Sequence, residues 1–123
     1  MTVGFGAAGA NVALDALNAA FPWIKLHTGD PGANGTANAA ANATRKQVSE
    51  AAASGGASTS DDAVAWTSGE VTTTENYTHF SRWSASSAGT FGASGIVSSG
   101  SVTAGTAFSI PAGDLDQSLP LAS

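Results

Sequence analysis

Apolar side chains recur along the first part of the chain at the spacing of a helix. Leu14, Leu17 and Phe21 lie three and four residues apart, with polar residues between them, as on one face of a helix. Pro22 follows at once, and the residue before a proline is pushed out of the helical region. The pattern therefore predicts a short α-helix over residues 11–21.

The rest of the chain alternates between apolar and polar residues, which is the period of a β-strand. In residues 23–28, Ile24 and Leu26 share one face, whereas Trp23 and His27 share the other. Further β-prone runs are predicted at residues 45–51, 63–67, 77–85, 91–98, 107–110 and 115–121. Short strands separated by Gly-containing turns predict a mainly β protein, an antiparallel β-sandwich or barrel-like sandwich with one N-terminal α-helix.

The composition limits the core that this chain can build. Of its 123 residues 42% are hydrophobic but only 7% are aromatic, and alanine is the commonest hydrophobic residue. Because large side chains are few, we expect a thin core that depends on backbone hydrogen bonds and on neighbouring subunits. We divide the chain into a flexible N-terminal arm, residues 1–10, and a single β-sandwich domain, residues 11–123.

Charge is sparse and mainly acidic, which narrows the classes of partner. Charged residues make up 11% of the chain, the net charge is −5, and the four basic residues include only one adjacent pair, Arg45-Lys46. Nucleic-acid binding needs clustered basic side chains, so we expect no nucleic-acid partner. No apolar run approaches the ~20 residues of a membrane span, so we expect no membrane partner. The chain has no cysteine, which excludes disulfides, thiolate metal sites and thiol catalysis.

The segment GFGAAG, residues 4–9, fits the G-x-G-x-x-G spacing of a dinucleotide-binding turn, and Asp30 follows about where a ribose-binding carboxylate belongs. That turn requires a strand before its first glycine, and only three residues precede Gly4. No later helix is predicted that would build a parallel sheet. We therefore interpret the glycines as part of the arm and expect no cofactor.

Neither histidine belongs to a recognisable catalytic or metal-binding motif. His27 ends its strand before the turn 29–32, where Asp30 is expected to cap the backbone, and His79 is expected in the core or an interface, hydrogen-bonded to backbone. Two histidines cannot form a three-histidine zinc site. The carboxylate pairs fall in loops and turns: Asp61-Asp62 and Asp114-x-Asp116. Since EF-hand spacing and a G-x-S-x-G elbow are also missing, we expect no catalytic and no metal-binding residues.

Aromatic residues are the remaining candidates for a contact surface. In a chain with so few large side chains, an exposed tryptophan would anchor a partner. Trp23 lies on the polar side of its strand, and Trp83 ends an aromatic run beside Arg82. We therefore predict an interface at Trp23, Tyr77, Arg82 and Trp83. Exposed aromatic rings would alternatively stack on sugars, which is the behaviour of a carbohydrate-binding module.

Three segments in order resemble a known family: LHTGDPG at residues 26–32, YTHFSRWSASSAGTF at 77–91 and TAGTAFSIPAGDL at 103–115. The family consists of small virion proteins of tailed bacteriophages, common in actinobacterial phages. Its members are labelled minor tail or tail fibre proteins and sometimes head decoration proteins. One departure is Arg82, which stands where the family has an apolar residue.

The resemblance implies a non-enzymatic, β-rich structural protein, made in the host cytoplasm and present in many copies on the virion. It implies a minor tail protein in the first place and a capsid decoration protein as the alternative. The implied partners are other virion proteins and copies of this chain. The family offers no catalytic residues to carry over.

Overall fold

The computed structural model describes residues 3–98 and 100–122 of the chain. Within these residues it contains one α-helix and ten short strands, which pair antiparallel. In chain order they are α1 (Ala7–Ala20), β1 (Trp23–His27), β2 (Lys46–Gln47), β3 (Ala57–Thr59), β4 (Val64–Trp66), β5 (Glu75–Asn76), β6 (His79–Trp83), β7 (Phe91–Ile96), β8 (Ser101–Val102), β9 (Phe108–Ile110) and β10 (Asp116–Ser118). The predicted fold class is confirmed: the chain is mainly β and sandwich-like, with one N-terminal helix.

The helix α1 begins at Ala7, earlier than the predicted start at residue 11. Alanine is the strongest helix former, so the AAGA segment continues the helix toward the N terminus once Gly6 has provided an extended N-cap. At the other end Phe21 is the C-cap, and Pro22 has no N–H with which to continue the helix.

The N-terminal segment therefore differs from the predicted arm. Residues 7–10 belong to α1. Phe5 forms a parallel bridge with Leu121, and its carbonyl oxygen accepts a backbone hydrogen bond at 2.7 Å from the residue after Leu121. Met1 and Thr2, the start of the predicted arm, lie outside the described residues.

A four-stranded sheet in the order β2-β1-β6-β7 forms the centre of the fold. The strand β6 lies inside this sheet, as its aromatic sequence predicts, and Trp83 pairs with Trp23 of β1. A β-bulge between Arg82 and Trp83 changes the register toward β7. The other strands pair two by two, β10 with β3, β4 with β9 and β5 with β8.

The core packs on one face of this sheet, here called the inner face, which carries Ile24, Leu26 and Phe80. Across from it, β4 and β9 contribute Trp66 and Phe108, whose ring centroids lie 5.8 Å apart. The rest of the buried cluster is Ala40, Val48, Val64, Val71, Tyr77, Val97, Val102, Ile110 and Leu115. Fully burying one Leu, Ile or Phe side chain stabilises the fold by about 1.5–3 kcal/mol, so this small cluster supplies the main driving force.

Local sequence signals are sufficient to predict the turns but not the minor strand β3. The Gly-containing turns between the later predicted strands include Gly89, Gly105 and Gly113, whose φ angles are 77°, 83° and 88°, in the left-handed region that favours glycine. By contrast, β3 lies between the predicted strands at residues 45–51 and 63–67, where no strand is predicted. Its residues carry no large apolar side chain, and β3 is a strand because β10 pairs with it.

Candidate functional site

The outer face of the four-stranded sheet carries a chain of buried hydrogen bonds. The His27 ring is fully buried, with Nδ1 2.8 Å from the carbonyl oxygen of Ala37 and Nε2 2.7 Å from Oγ of Ser81. A carbonyl oxygen can only accept, so Nδ1 carries the proton and Nε2 accepts from the Ser81 hydroxyl. The Ser81 oxygen in turn accepts from Nε1–H of Trp83 at 2.7 Å.

The contact between Ser81 and His27 has the spacing of a nucleophile and its base. Both side chains, however, are 0% exposed, so a substrate has no path to the hydroxyl. The second ring nitrogen of His27 is held by a backbone carbonyl rather than by a carboxylate. These hydrogen bonds connect β1 with β6 and with the loop at Ala37.

Burial lowers the pKa of His27, because the charged imidazolium would lose its hydration in the interior. Below pH 6.5, the ordinary value, the unfolded chain takes up a proton that the folded chain refuses, so stability falls as the pH drops. Between the two pKa values we expect the loss to reach about 1.4 kcal/mol per pH unit. Glu50, whose pKa is raised by burial, acts in the opposite sense, so a reference variant is needed.

His27→Gln is that reference, since it keeps a donor and an acceptor but does not titrate. Urea denaturation from pH 8 to pH 5 is expected to show a steeper loss of stability for the natural chain than for the variant. Parallel pH profiles for the two proteins would mean that His27 is not linked to folding.

On the inner face, Arg82 is the most buried charged side chain in the described part of the chain. Its side chain is 0% exposed and forms an ion pair with Glu50, whose side chain is 7% exposed. Its Nε donates to Oε1 of Gln117 at 2.9 Å, and the Gln117 amide donates at 3.1 Å to the carbonyl of Ser94 in β7. Burial raises the pKa of Glu50, and the Arg82 guanidinium opposes that rise. The Arg82 side chain therefore has no accessible surface in the single chain, and an interface at Arg82 stays a prediction.

Trp83 is also covered. Its side chain is 7% exposed, and Cζ of Arg45 lies 4.3 Å from the centre of its ring. The Phe91 ring centroid lies 5.6 Å away from that of Trp83. Trp83 is thus no exposed anchor, because Arg45 occupies the ring face that a sugar or partner would need.

Tyr77 is wholly buried, with its ring centroid 5.1 Å from that of Phe108, so it belongs to the core and an interface at Tyr77 stays a prediction. Trp23 is half-buried at the start of β1 and is the predicted interface residue with the most accessible surface. Of the four predicted interface residues, Tyr77 lies in the core and Arg82 lies on the inner face of the sheet. Trp23 and Trp83 lie on its outer face.

Arg45 stabilises the loop that follows β6 by hydrogen bonds to its backbone. One of its guanidinium nitrogens, Nη1, donates to the carbonyl oxygens of Ala85 and Ala88 at 2.9 and 2.7 Å. Arg45→Met removes these bonds and the cation–π contact with Trp83, so we expect a loss of about 1–2 kcal/mol in the free energy of unfolding. Arg45→Lys is expected to recover only part of it, because an ammonium cannot match the planar fork. Urea denaturation tests this, and equal stability of Arg45→Met and the natural chain would contradict it.

The remaining candidates have local roles. Asp30 caps its turn as predicted, with Oδ1 accepting from the N–H of Gly32 at 2.9 Å. His79 is half-buried and its Nδ1 lies 2.9 Å from Oγ1 of Thr78, a side chain rather than the expected backbone group. Asp61 and Asp62 are exposed, as expected. In residues 3–98 and 100–122, no group of three His, Cys, Asp or Glu side chains is arranged to hold a metal ion.

A cleft of 490 Å³ lies between α1 and residues 47–52. Its polar side chains hold the helix in place: Asn18 donates to Ser58 at 3.0 Å, and Asp15 accepts from the N–H of Ala53 at 2.8 Å. The rest of the lining combines alanines and Pro22 with Gln47, Val48 and Glu50, and it has no aromatic ring on which a sugar would stack. Of the helices that the structure describes, none has the length and apolar character to cross a membrane.

The feature that sequence reasoning missed is an apolar surface near the N terminus. Val3, Phe5 and Val12 are 88%, 47% and 71% exposed, and they form most of the exposed large hydrophobic side chains in the described part of the chain. The sequence did contain a signal for this surface, because Val12 falls on the opposite side of the helix from the buried Leu14.

Buried polar side chains thus link the strands of a sandwich-like β framework. A family model described as "Podophage GP4 fiber I protein gp80" matches residues 8–118. The chain therefore belongs to this family of phage fibre proteins, and it is a structural protein of a phage virion. No curated protein and no solved structure was found to match it.

Proposed function

We propose that this protein is a non-enzymatic, multi-copy minor tail component of a tailed bacteriophage, in contact with other tail proteins and with copies of itself. The observation that carries the proposal is the family match over residues 8–118, because the matching protein is a fibre protein. The resemblance of the three sequence segments extends the proposal to phages of actinobacteria.

The chemistry of the described residues supports a role in contact rather than in catalysis. The Ser81–His27 pair is sealed from solvent, and Arg82 and Glu50 neutralise each other inside the fold. Of the residues predicted at an interface, Trp23 is retained as a proposed contact because part of its side chain is accessible.

Two alternative functions remain. One is a capsid decoration protein, which would lie on the head of the virion, and the other is a carbohydrate-binding module. We keep the tail as the first assignment because the matching family is described as a fibre protein. The cover of Arg45 over Trp83 disfavours sugar binding at that ring.

Locating the chain on purified virions tests the proposal. Mass spectrometry of the particles is expected to detect the chain as a stoichiometric component, and electron microscopy with a specific antibody is expected to label the tail. Preimmune serum on the same particles is the control. Label on the head shell would replace the tail assignment by decoration, and absence from the virion would overturn the proposal.

A further inference from the structure

The cleft between α1 and residues 47–52 is lined by two side chains with buried oxygen atoms that accept no hydrogen bond from the described residues. The atoms are Oδ1 of Asn18, in the helix, and Oε2 of Glu50, on the opposite wall. Asn18 is 7% exposed, and the side chain of Glu50 is also 7% exposed. A buried acceptor that has lost its water without gaining a donor is unfavourable. A ligand in the cleft that carries N–H donors would supply the missing bonds.

The charges around the cleft favour a positively charged ligand. Asp15 is an exposed residue of α1 and adds a second carboxylate to the lining. Burial raises the pKa of the Glu50 carboxyl and Arg82 lowers it, while the nearby negative charges of Asp61 and Asp116 raise it again. The lining residues that the structure describes include no Lys, Arg or His. The field in the cleft is therefore negative, which attracts a cation.

The carboxylates of the cleft favour an ammonium group over a guanidinium group, because each has one oxygen already engaged. Oδ1 of Asp15 accepts from the N–H of Ala53 at 2.8 Å, and Oε1 of Glu50 is paired with Arg82. A guanidinium binds a carboxylate best through two parallel bonds to both oxygens, and neither carboxylate offers that pair. An ammonium group donates three separate hydrogen bonds. These match Oδ1 of Asn18, Oε2 of Glu50 and the second oxygen of Asp15.

The size and the apolar wall of the cleft fit an alkyl chain that carries this ammonium group. The volume of 490 Å³ is that of a site for an organic group and is larger than a bare ion needs. Ala19, Pro22 and Val48 contribute apolar surface, along which a lysine lays its four-carbon stem. A calcium ion takes about six to eight oxygen ligands, whereas the lining has two carboxylates, each with one oxygen engaged.

We propose that this cleft receives a lysine side chain of a neighbouring virion protein, with its stem along the apolar wall and its ammonium group on the oxygens of Asp15, Asn18 and Glu50. The inference rests on the proposed function, because that function supplies the neighbouring proteins. A basic partner also complements a chain with a net charge of −5. One side chain binds weakly by itself, so the contact becomes effective where the virion holds the two proteins together.

Nuclear magnetic resonance with model compounds tests the preference for an ammonium group. The isotope-labelled chain is titrated with Nα-acetyl-lysine amide, and chemical-shift changes are expected at the backbone amides of residues 47–52. Nα,Nε-diacetyl-lysine amide keeps the stem without the charge and is expected to bind about tenfold more weakly. Nα-acetyl-arginine amide is also expected to bind more weakly than the lysine compound. Equal binding of the charged and neutral lysine compounds, tighter binding of the arginine compound, or shifts with calcium chloride but not with the lysine compound would overturn the proposal.

Asp15→Asn makes this test specific to the cleft. The variant loses one charge but keeps an oxygen for the Ala53 N–H, and because Asp15 is exposed, circular dichroism is expected to match that of the natural chain. Binding of Nα-acetyl-lysine amide is expected to weaken about tenfold. Asp30→Asn is the matched control, since it removes the same charge from a turn beyond the far end of β1 from Pro22. Equal losses in the two variants would show an effect of net charge alone and would contradict the assignment.

Carbodiimide cross-linking of purified virions identifies the source of the ammonium group. The reagent joins a carboxylate to an amine when the two are in direct contact. Mass spectrometry is expected to find Asp15 linked to a lysine of another virion protein, and virions that carry Asp15→Asn are expected to lack this link. If putrescine, a free diamine, binds the purified chain while virions yield no such link, the ligand is a free amine and the proposed contact is wrong.

These experiments separate the lysine contact from the proposed function. If the chain lies on the tail but neither the binding of the lysine compound nor the cross-link is found, the contact is refuted and the tail assignment stands. If the purified chain binds the lysine compound but is absent from virions, the preference of the cleft for an ammonium group stands and the proposed function is refuted.

Discussion

Arg82→Met is expected to lower the free energy of unfolding by about 3–5 kcal/mol, because it leaves the carboxylate of Glu50 buried without its partner. The substitution also removes the donor that Gln117 uses to connect β6 with β7. Chemical denaturation followed by circular dichroism measures the loss. Since burial raises the pKa of Glu50, the deficit is expected to shrink as the pH falls and the carboxyl becomes neutral.

Two variants make this expectation specific to the buried pair. The double variant Arg82→Met with Glu50→Gln is expected to be more stable than Arg82→Met alone, since it no longer buries an unpaired charge. Lys46→Met breaks the solvent-accessible ion pair with Glu70, at 2.9 Å, and is expected to cost far less than Arg82→Met, because water screens the two charges. If the Lys46 variant lost as much stability as the Arg82 variant, burial would not be the cause.

Gly100→Ala is expected to cost about 3 kcal/mol, the upper end for an added group in a packed interior. A Cβ atom at this position would overlap the carbonyl oxygen of Tyr77, and backbone cannot move aside as a flexible side chain can. The two residues are also joined by a hydrogen bond of 2.9 Å from the Tyr77 N–H to the Gly100 carbonyl. Thermal unfolding measures the loss as a lower Tm.

Gly69→Ala is the matched control for that substitution. Its Cβ atom would meet only Oγ1 of Thr67, at 4.0 Å, and the residue is exposed. Because alanine restricts the unfolded chain, this variant is expected to be unchanged or slightly more stable, by up to about 1 kcal/mol. Similar losses at Gly69 and Gly100 would argue against overlap with Tyr77 as the cause.

Local patterns were enough to predict the main elements. The period of Leu14 and Leu17 predicts the helix, and the aromatic run ending at Trp83 predicts the inner strand of the sheet. Both depend on residues close in sequence that share one face. The turn glycines were predictable for the same reason, since a left-handed φ is a property of a single residue.

Pairings between distant residues were not predictable. Arg82 reads as a surface charge until Glu50, 32 residues away, and Gln117, 35 residues away, are placed beside it. Trp83 reads as exposed until Arg45 covers its ring. In each case the burial of a side chain depends on which remote segment the fold brings to it, and no local pattern encodes that choice.

The pairing of β3 with β10 joins residues 57–59 to residues 116–118. Residue 118 therefore has to leave the ribosome before this pair can close, and β3 stays without its partner while the intervening residues are made. A truncation just before β10 exposes one edge of β3 to other nascent chains.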